Sequence, residues 1–92
     1  LQLHKKRILT YVLHKIKEVS EQNPEKCWTI MDDRKIGIIQ YEDFRNALIK
    51  VGLYLTKKEL GWVFNFIDNN QDGCINYFEL LEFWAFSPSV FE

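Results

Sequence analysis

The chain has 92 residues and a net charge of −1, with 47% hydrophobic residues, 15% aromatic residues and two prolines. This length predicts one domain or one module of a longer chain, and the first residue, Leu1, favours a fragment or a processed chain. The composition excludes a disordered tail, and the near-neutral charge excludes a global attraction to nucleic acid or anionic lipid.

Residues 1–22 are predicted to form a basic amphipathic helix. Residues 1–19 carry five basic groups against one acid, a net of +4, whereas residues 57–92 carry a net of −4. Three interpretations stay open: a helix packed on its own or a neighbouring module, a target for a helix-binding groove or membrane, and an intramolecular lid on the acidic half. The first is favoured because so small a module needs extra burial. The apolar stripe consists of Ile8, Leu9, Val12, Leu13, Ile16 and Val19.

The rest of the chain is an internal repeat with an offset of 36 residues. Two units of this length, each unable to bury its own apolar face, predict a paired supersecondary structure. The matched positions are Trp28 and Phe64, Met31 and Ile67, Asp32 and Asp68, Gly37 and Gly73, Ile39 and Ile75, Tyr41 and Tyr77, and Asp43 and Glu79.

Each unit is predicted to be helix, loop, helix, the first over residues 23–52 and the second over 53–88, followed by a tail at 89–92. Asn23-Pro24 is a helix start, and Thr56 with Glu59 has capping-box spacing. Gly52 is expected to close the first unit, and Ser87-Pro88 to end the last helix. The expected buried positions are Phe44, Leu48, Val51, Leu60, Val63, Phe64, Ile67, Leu80, Leu81 and Trp84.

The loop of the second unit, residues 68–79, fits the pattern D-x-[DN]-x-[DN]-G-x₅-E at every specified position. Ca²⁺ prefers six to eight oxygen ligands, and Gly73 permits the turn that brings the chain round an ion. The bland alternative is a solvated acidic turn. The expected ligands are Asp68, Asn70, Asp72, Cys74 through its carbonyl, Asn76 directly or through water, and Glu79 with two oxygens.

These residues resemble the EF-hand superfamily, which includes calmodulin and troponin C, and the resemblance covers residues 23–86. It implies an all-α fold of paired EF-hands, with a short two-strand contact between the loops, here with an extra N-terminal helix. Ile39 and Ile75 are expected to pair in that contact. One Ca²⁺ is expected, and Mg²⁺ occupancy at rest stays open.

The loop of the first unit, residues 32–43, is predicted to have lost metal binding. Arg34 places a positive charge where a ligand is expected, and Ile36 offers no oxygen at the next ligand position. Asp43 is one methylene shorter than the glutamate expected at the last position. The predicted role of this loop is structural, because it would fix the geometry of the second loop.

The function predicted from these features is Ca²⁺ binding coupled to contact with a specific protein partner, either a helix or a neighbouring EF-hand module. The alternative is a Ca²⁺-insensitive scaffold similar to modules of multi-EF-hand cytoskeletal or ciliary proteins. An enzyme is not expected, since no catalytic constellation is present. No apolar run approaches the roughly 18 residues of a transmembrane segment. Two cysteines, Cys27 and Cys74, read as free thiols of a cytoplasmic protein, with cytoskeletal or ciliary locations open.

Overall fold

A computed structural model describes residues 3–86. The predicted stop at Ser87-Pro88 and the tail at 89–92 lie outside these residues. The described part is all-α, as predicted, apart from two short strands. The elements are α1 (Leu3–Val19), α2 (Pro24–Met31), β1 (Ile39–Gln40), α3 (Tyr41–Lys50), α4 (Lys57–Ile67), β2 (Cys74–Ile75) and α5 (Tyr77–Trp84).

The predicted helix starts are confirmed by their hydrogen bonds. The Asn23 side chain accepts from the amides of Glu25 and Lys26, with Pro24 at the first helical position. The Thr56 hydroxyl accepts from the Glu59 amide at 3.1 Å, while the Glu59 carboxylate accepts from the Thr56 amide at 2.9 Å. Each cap satisfies amides that have no partner within the helix, so the two units begin where their sequences indicate.

The two loops meet in the predicted antiparallel contact, in which Ile39 faces Ile75 and Gln40 faces Cys74. Both isoleucine side chains are fully buried. Because β1 and β2 each lie inside a loop, this pairing joins the two loops directly. The pairing therefore fixes the position of one loop relative to the other.

The two units contact each other through residues that are equivalent in the repeat. Trp28 of α2 contacts Tyr77 of α5 edge-on, with 5.5 Å between ring centroids. The equivalent residues, Phe64 of α4 and Tyr41 of α3, make the equivalent contact at 5.6 Å. Helix α2 thus packs on α5 as α4 packs on α3, and all four helices share one core with α1.

Helix α1 packs on the module's own core, which is the interpretation favoured from the sequence. Leu9, Val12, Leu13 and Ile16 are buried, and α1 contacts α2, α4 and α5. Two cations fix its position: the Lys5 ammonium lies 4.9 Å from the ring centroid of Trp62, and that of Lys17 lies 5.5 Å from Trp84. Within residues 3–86, none of the helices combines the length and hydropathy needed to cross a bilayer.

We expect α1 to be part of the folding unit, and Leu9→Ala tests this. Leu9 is fully buried, so its truncation leaves a cavity and should lower the free energy of unfolding by about 2–5 kcal/mol in urea denaturation. The control is Tyr11→Ala on the exposed side of α1, for which about 0.5 kcal/mol or less is expected. Equal effects of the two substitutions would mean that α1 does not contribute to the core.

Candidate metal centre

The loop between α4 and α5 forms a tight turn with two residues of positive φ. Gln71 and Gly73 have positive φ values of 58° and 86°. Lys35 and Gly37, their equivalents in the first loop, have nearly the same values, 55° and 86°. The values near 55–58° lie in the left-handed region that residues with a Cβ atom can adopt, whereas 86° lies outside it and requires glycine at the second of these positions. The two loops therefore keep one backbone frame despite their different side chains.

Asp68 is the carboxylate around which this loop folds. It follows the last turn of α4 and is 2% exposed. Its Oδ2 accepts from the Gly73 amide at 2.9 Å, and its Oδ1 accepts from the Asp72 amide at 3.3 Å. These bonds hold the carboxylate at the centre of the turn and compensate part of its burial.

Glu79 reaches the same centre from the first turn of α5. Its Oε1 accepts from the Asn76 amide at 3.0 Å, and the Asn76 side chain accepts from the Glu79 amide at 2.8 Å, which together form a capping box. Its Oε2 accepts from the Asn70 amide at 3.1 Å. Glu79 thereby links the exiting helix to the start of the loop.

The carboxylates of Asp68, Asp72 and Glu79 converge. Each contributes an oxygen that lies within 4.8 Å of the oxygens of the other two. Oxygens bound to one Ca²⁺ at about 2.3–2.6 Å are at most roughly 5 Å apart, so these three fit one coordination sphere. Within residues 3–86, no lysine, arginine or histidine pairs with any of them. The centre is therefore acidic and uncompensated by the described part of the protein.

Burial and mutual repulsion act on these groups differently. The pKa of Asp68 is raised, chiefly because burial disfavours its charged form, and the neighbouring Asp72 adds to the effect. The pKa of Asp72 is lowered, chiefly because the Cys74 amide donates to its carboxylate at 3.1 Å. A cation at the centre would favour the charged form of both groups.

The other three predicted ligands each form a hydrogen bond with Asp72 or Glu79 of this centre. The Asn70 Oδ1 accepts from the Asp72 amide at 3.3 Å, and Asn76 caps α5 as described. Cys74 stands in β2, and its thiol pKa is raised by burial and by the Asp72 carboxylate, which keeps the sulfur protonated. Oxygen from the Cys74 backbone, rather than its sulfur, is the donor suited to a hard cation. The coordinating roles of Asn70, Cys74 and Asn76 stay predictions.

The first loop contains an internal cation in the corresponding region. The guanidinium of Arg34 donates from Nε to Oδ1 of Asp43 at 2.8 Å and from Nη2 to Oδ2 at 2.7 Å. A bidentate pair of this geometry is the strong form of such an interaction. Asp43 is the positional equivalent of Glu79, so the carboxylate that would close a metal site is already occupied by a side chain of the same loop.

The remaining hydrogen bonds of the first loop maintain the backbone conformation that it shares with the second loop, and all of them are formed between residues of the protein. Asp32 accepts from the amides of Gly37 at 3.0 Å and Ile36 at 3.1 Å, as Asp68 does from its own loop. The Ile36 side chain is 50% exposed and offers no oxygen. Gln40 accepts a further bond from Nη2 of Arg34 at 2.8 Å.

The Arg34–Asp43 pair was missed by the sequence reasoning. In the sequence, Arg34 and Asp43 are two separate departures from the ligand pattern, one a misplaced charge and the other a shortened side chain. The signal was available, because opposite charges stood at two positions of the loop that are both expected to face its centre. The cation–π contacts of Lys5 and Lys17 were also missed, because no local pattern predicts which aromatic ring a helix will meet.

No family model matches the chain. It is 28% identical over 83 residues to the mouse protein "EF-hand domain-containing family member B", a match covering 87% of this chain and 10% of that protein. It is 25% identical over 77 residues to "Calcium-dependent protein kinase 16" of rice (Oryza sativa subsp. japonica), covering 84% of this chain and 14% of the kinase. One relative is named for EF-hands and the other for calcium dependence. Both support the EF-hand resemblance of this chain, which spans only a small part of either.

The Arg34–Asp43 pair predicts a dependence of stability on pH. The Arg34 guanidinium is the main cause of the lowered pKa of Asp43, so the folded protein binds fewer protons there than the unfolded chain. The pair's contribution is present above the ordinary aspartate pKa, about 3.9, and is lost as pH falls through the lower, folded-state value. Urea denaturation in chelator between pH 6 and pH 3 should therefore show a smaller loss for Arg34→Gln than for the unmodified protein.

Lys35→Gln is the matched control, because it removes one exposed positive charge from the same loop without touching Asp43. It should keep the pH profile of the unmodified protein. Identical profiles for all three proteins would show that Arg34 does not influence the titration of Asp43. The raised pKa of Asp68 acts with the opposite sign but is common to all three, so it cancels in the comparison.

Proposed function

We propose that this chain is a calcium-binding EF-hand module that binds one Ca²⁺ in its second loop and works through contact with a protein partner. The observation that carries the proposal is the convergence of the Asp68, Asp72 and Glu79 carboxylates within 4.8 Å. The names of the two relatives agree with it. Mg²⁺ is the competitor to include in any test, because it shares the preference for oxygen ligands.

The difference between the loops supports a single site. Three carboxylates of the second loop face one another without a basic partner in the described chain. In the first loop the equivalent end is compensated by Arg34. Bringing like charges together in a partly buried turn is unfavourable unless a cation accompanies them. A bound ion supplies that charge in the second loop, as the guanidinium does in the first.

The residues of the second loop have distinct tasks in this proposal. Asp68 is held by the Gly73 amide and is oriented before the ion arrives. Asp72 and Asn70 supply further side-chain oxygens, and Cys74 supplies a backbone carbonyl. Glu79 keeps lone pairs on both oxygens beyond the two amide bonds it accepts, so it can serve the helix cap and the ion together.

Glu79→Gln tests the site without removing the helix cap, since glutamine also serves in a capping box. We expect Ca²⁺ affinity to fall by about a hundredfold or more. Loss of a residue that only hydrogen-bonds to a metal ligand already lowers metal affinity by about 10- to 100-fold, and Glu79 is an expected ligand itself. The measurement is calorimetric titration of metal-free protein in millimolar Mg²⁺. Glu82→Gln, an exposed acid on the same helix, is the control and should bind as the unmodified protein does. Unchanged binding by Glu79→Gln would refute the site.

The first loop should become a second site when its internal cation is replaced by ligands. Arg34→Asn, Ile36→Asp and Asp43→Glu together restore three ligand positions on a frame that already matches the second loop. We expect the calorimetric stoichiometry to rise from one Ca²⁺ to two. Arg34→Asn alone is the control and should leave it at one, because position 36 still lacks an oxygen. A stoichiometry of one in the triple variant would mean that the frame itself prevents binding.

A Ca²⁺-insensitive scaffold is the second candidate, and the packing of α1 favours it. That helix contacts α2, α4 and α5 and is fixed by cation–π contacts at both ends, so the module is closed over its core. Tryptophan emission separates the candidates, because Lys5 and Lys17 lie over Trp62 and Trp84. If Ca²⁺ binding moves α1, tryptophan emission should change on addition of Ca²⁺. If the module is a scaffold, the emission should stay constant whether or not the ion binds.

A further inference from the structure

Helix α1 covers one face of the core that the other four helices form. It contacts α2, α4 and α5. On this face Lys17 lies over Trp84, at 5.5 Å from the ring centroid. The residue equivalent to Trp84 in the first unit is Leu48 of α3. Leu48 marks a second face, on α3 and the start of α4, and no residue of α1 lines it.

That second face is an open groove of about 380 Å³ between α3, the α3–α4 connection and the start of α4. We call it the α3–α4 groove. Its floor consists of the buried side chains of Leu48, Leu53 and Leu60. Tyr54 and Ile49 stand at its edge, 78% and 44% exposed. Apolar side chains of this size at the edge of a concave apolar surface are typical of an interaction site.

The charge of the groove selects its partner. Arg45 and Lys57 line it, both exposed, and no acidic side chain does. Among residues 3–86, neither cation takes part in an ion pair. Two uncompensated cations beside an apolar floor are complementary to an amphipathic segment that carries carboxylates next to its apolar side chains.

We propose that the α3–α4 groove binds an acidic amphipathic helix of a protein partner. Its apolar side chains pack on Leu48, Leu53 and Leu60, and its carboxylates face Arg45 and Lys57. A helix is the expected form because an amphipathic helix presents apolar and charged side chains together to a groove of this kind. The inference rests on the protein partner of the proposed function and adds its chemistry: the partner is acidic, although the chain as a whole also carries a net negative charge.

The test is selection from a displayed library of random peptides of about 16 residues, long enough for roughly four helical turns, against the full 92-residue chain. Selection is carried out in Ca²⁺ and in chelator. We expect enrichment of sequences with leucine or aromatic residues at helical spacing and glutamate or aspartate between them. The best of them is then synthesised and its affinity measured against variants of the chain.

Arg45→Glu with Lys57→Glu should weaken that peptide about tenfold or more, since two attractive pairs become repulsive. Arg7→Glu with Lys35→Glu makes the same change of charge away from the groove and should leave the affinity within about twofold. Tyr54→Ala, at a highly exposed position that leaves the core intact, gives a second check and should also weaken binding. Higher salt should lower the affinity of the unmodified chain.

Other occupants give distinct results that overturn the proposal. Enrichment of basic peptides, no enrichment, or equal binding by both charge-reversal variants excludes an acidic helix in this groove. A dimer in analytical ultracentrifugation that Tyr54→Ala dissociates assigns the groove to a second copy. Binding to phosphatidylserine vesicles that is lost in Arg45→Glu with Lys57→Glu assigns it to a membrane surface.

Failure of the metal site and failure of the groove are distinguishable. Arg45 and Lys57 are not expected ligands, so the groove variants should bind Ca²⁺ as the unmodified chain does. Loss of Ca²⁺ binding in Glu79→Gln leaves selection in chelator untouched. Acidic peptides that bind equally with and without Ca²⁺ would support the groove and the scaffold function together.

Discussion

Ile39 and Ile75 meet face to face in the two-stranded contact, fully buried, and the rest of the module is arranged about this pair. Each isoleucine lies in the second half of a loop, directly before an exiting helix. Their pairing sets the distance between α3 and α5 and fixes both loops against one core. The first loop is therefore required whatever its side chains bind, because it supplies half of the contact that positions the other loop.

The two loops differ in the partner of the carboxylate at their last position. The frame is shared, as the matching φ values at Gly37 and Gly73 show, and both place a carboxylate at the last position. In the first loop the guanidinium of Arg34 binds that carboxylate with two hydrogen bonds. In the second, Glu79 faces Asp68 and Asp72 with no basic partner in the described chain. One loop carries a cation as a side chain, and the other has none among residues 3–86.

Helix α1 makes the module asymmetric. It contacts α2, α4 and α5, whereas no residue of α1 lines the α3–α4 groove. The same helix extends the core with four buried side chains, which a domain of this length needs. The face that α1 covers thus contributes to stability, and the α3–α4 groove is the face to which our proposal assigns a partner.

Much of this structure was already determined by the sequence. The offset of 36 residues fixed the pairing, the caps at Asn23 and Thr56 fixed two helix starts, and the residue pattern at 68–79 indicated which loop keeps its carboxylates. These features are local or periodic, and so they act through the backbone and through fixed spacing. Gly37 and Gly73 also match in the sequence repeat. Each stands in a turn at a positive φ of 86°, which glycine adopts without strain.

Tertiary structure alone decided the rest. From the sequence, the basic amphipathic helix α1 was compatible with binding to a membrane, to a partner or to its own module. In the structure it packs against α2, α4 and α5 of its own module. Whether Arg34 would point to solvent or to Asp43 depended on the loop closing round both. Arg45 of α3 and Lys57 of α4 line one groove only because the fold places these two helices side by side. Each of these depends on residues distant in sequence, and no local pattern specifies which distant surfaces a fold brings together.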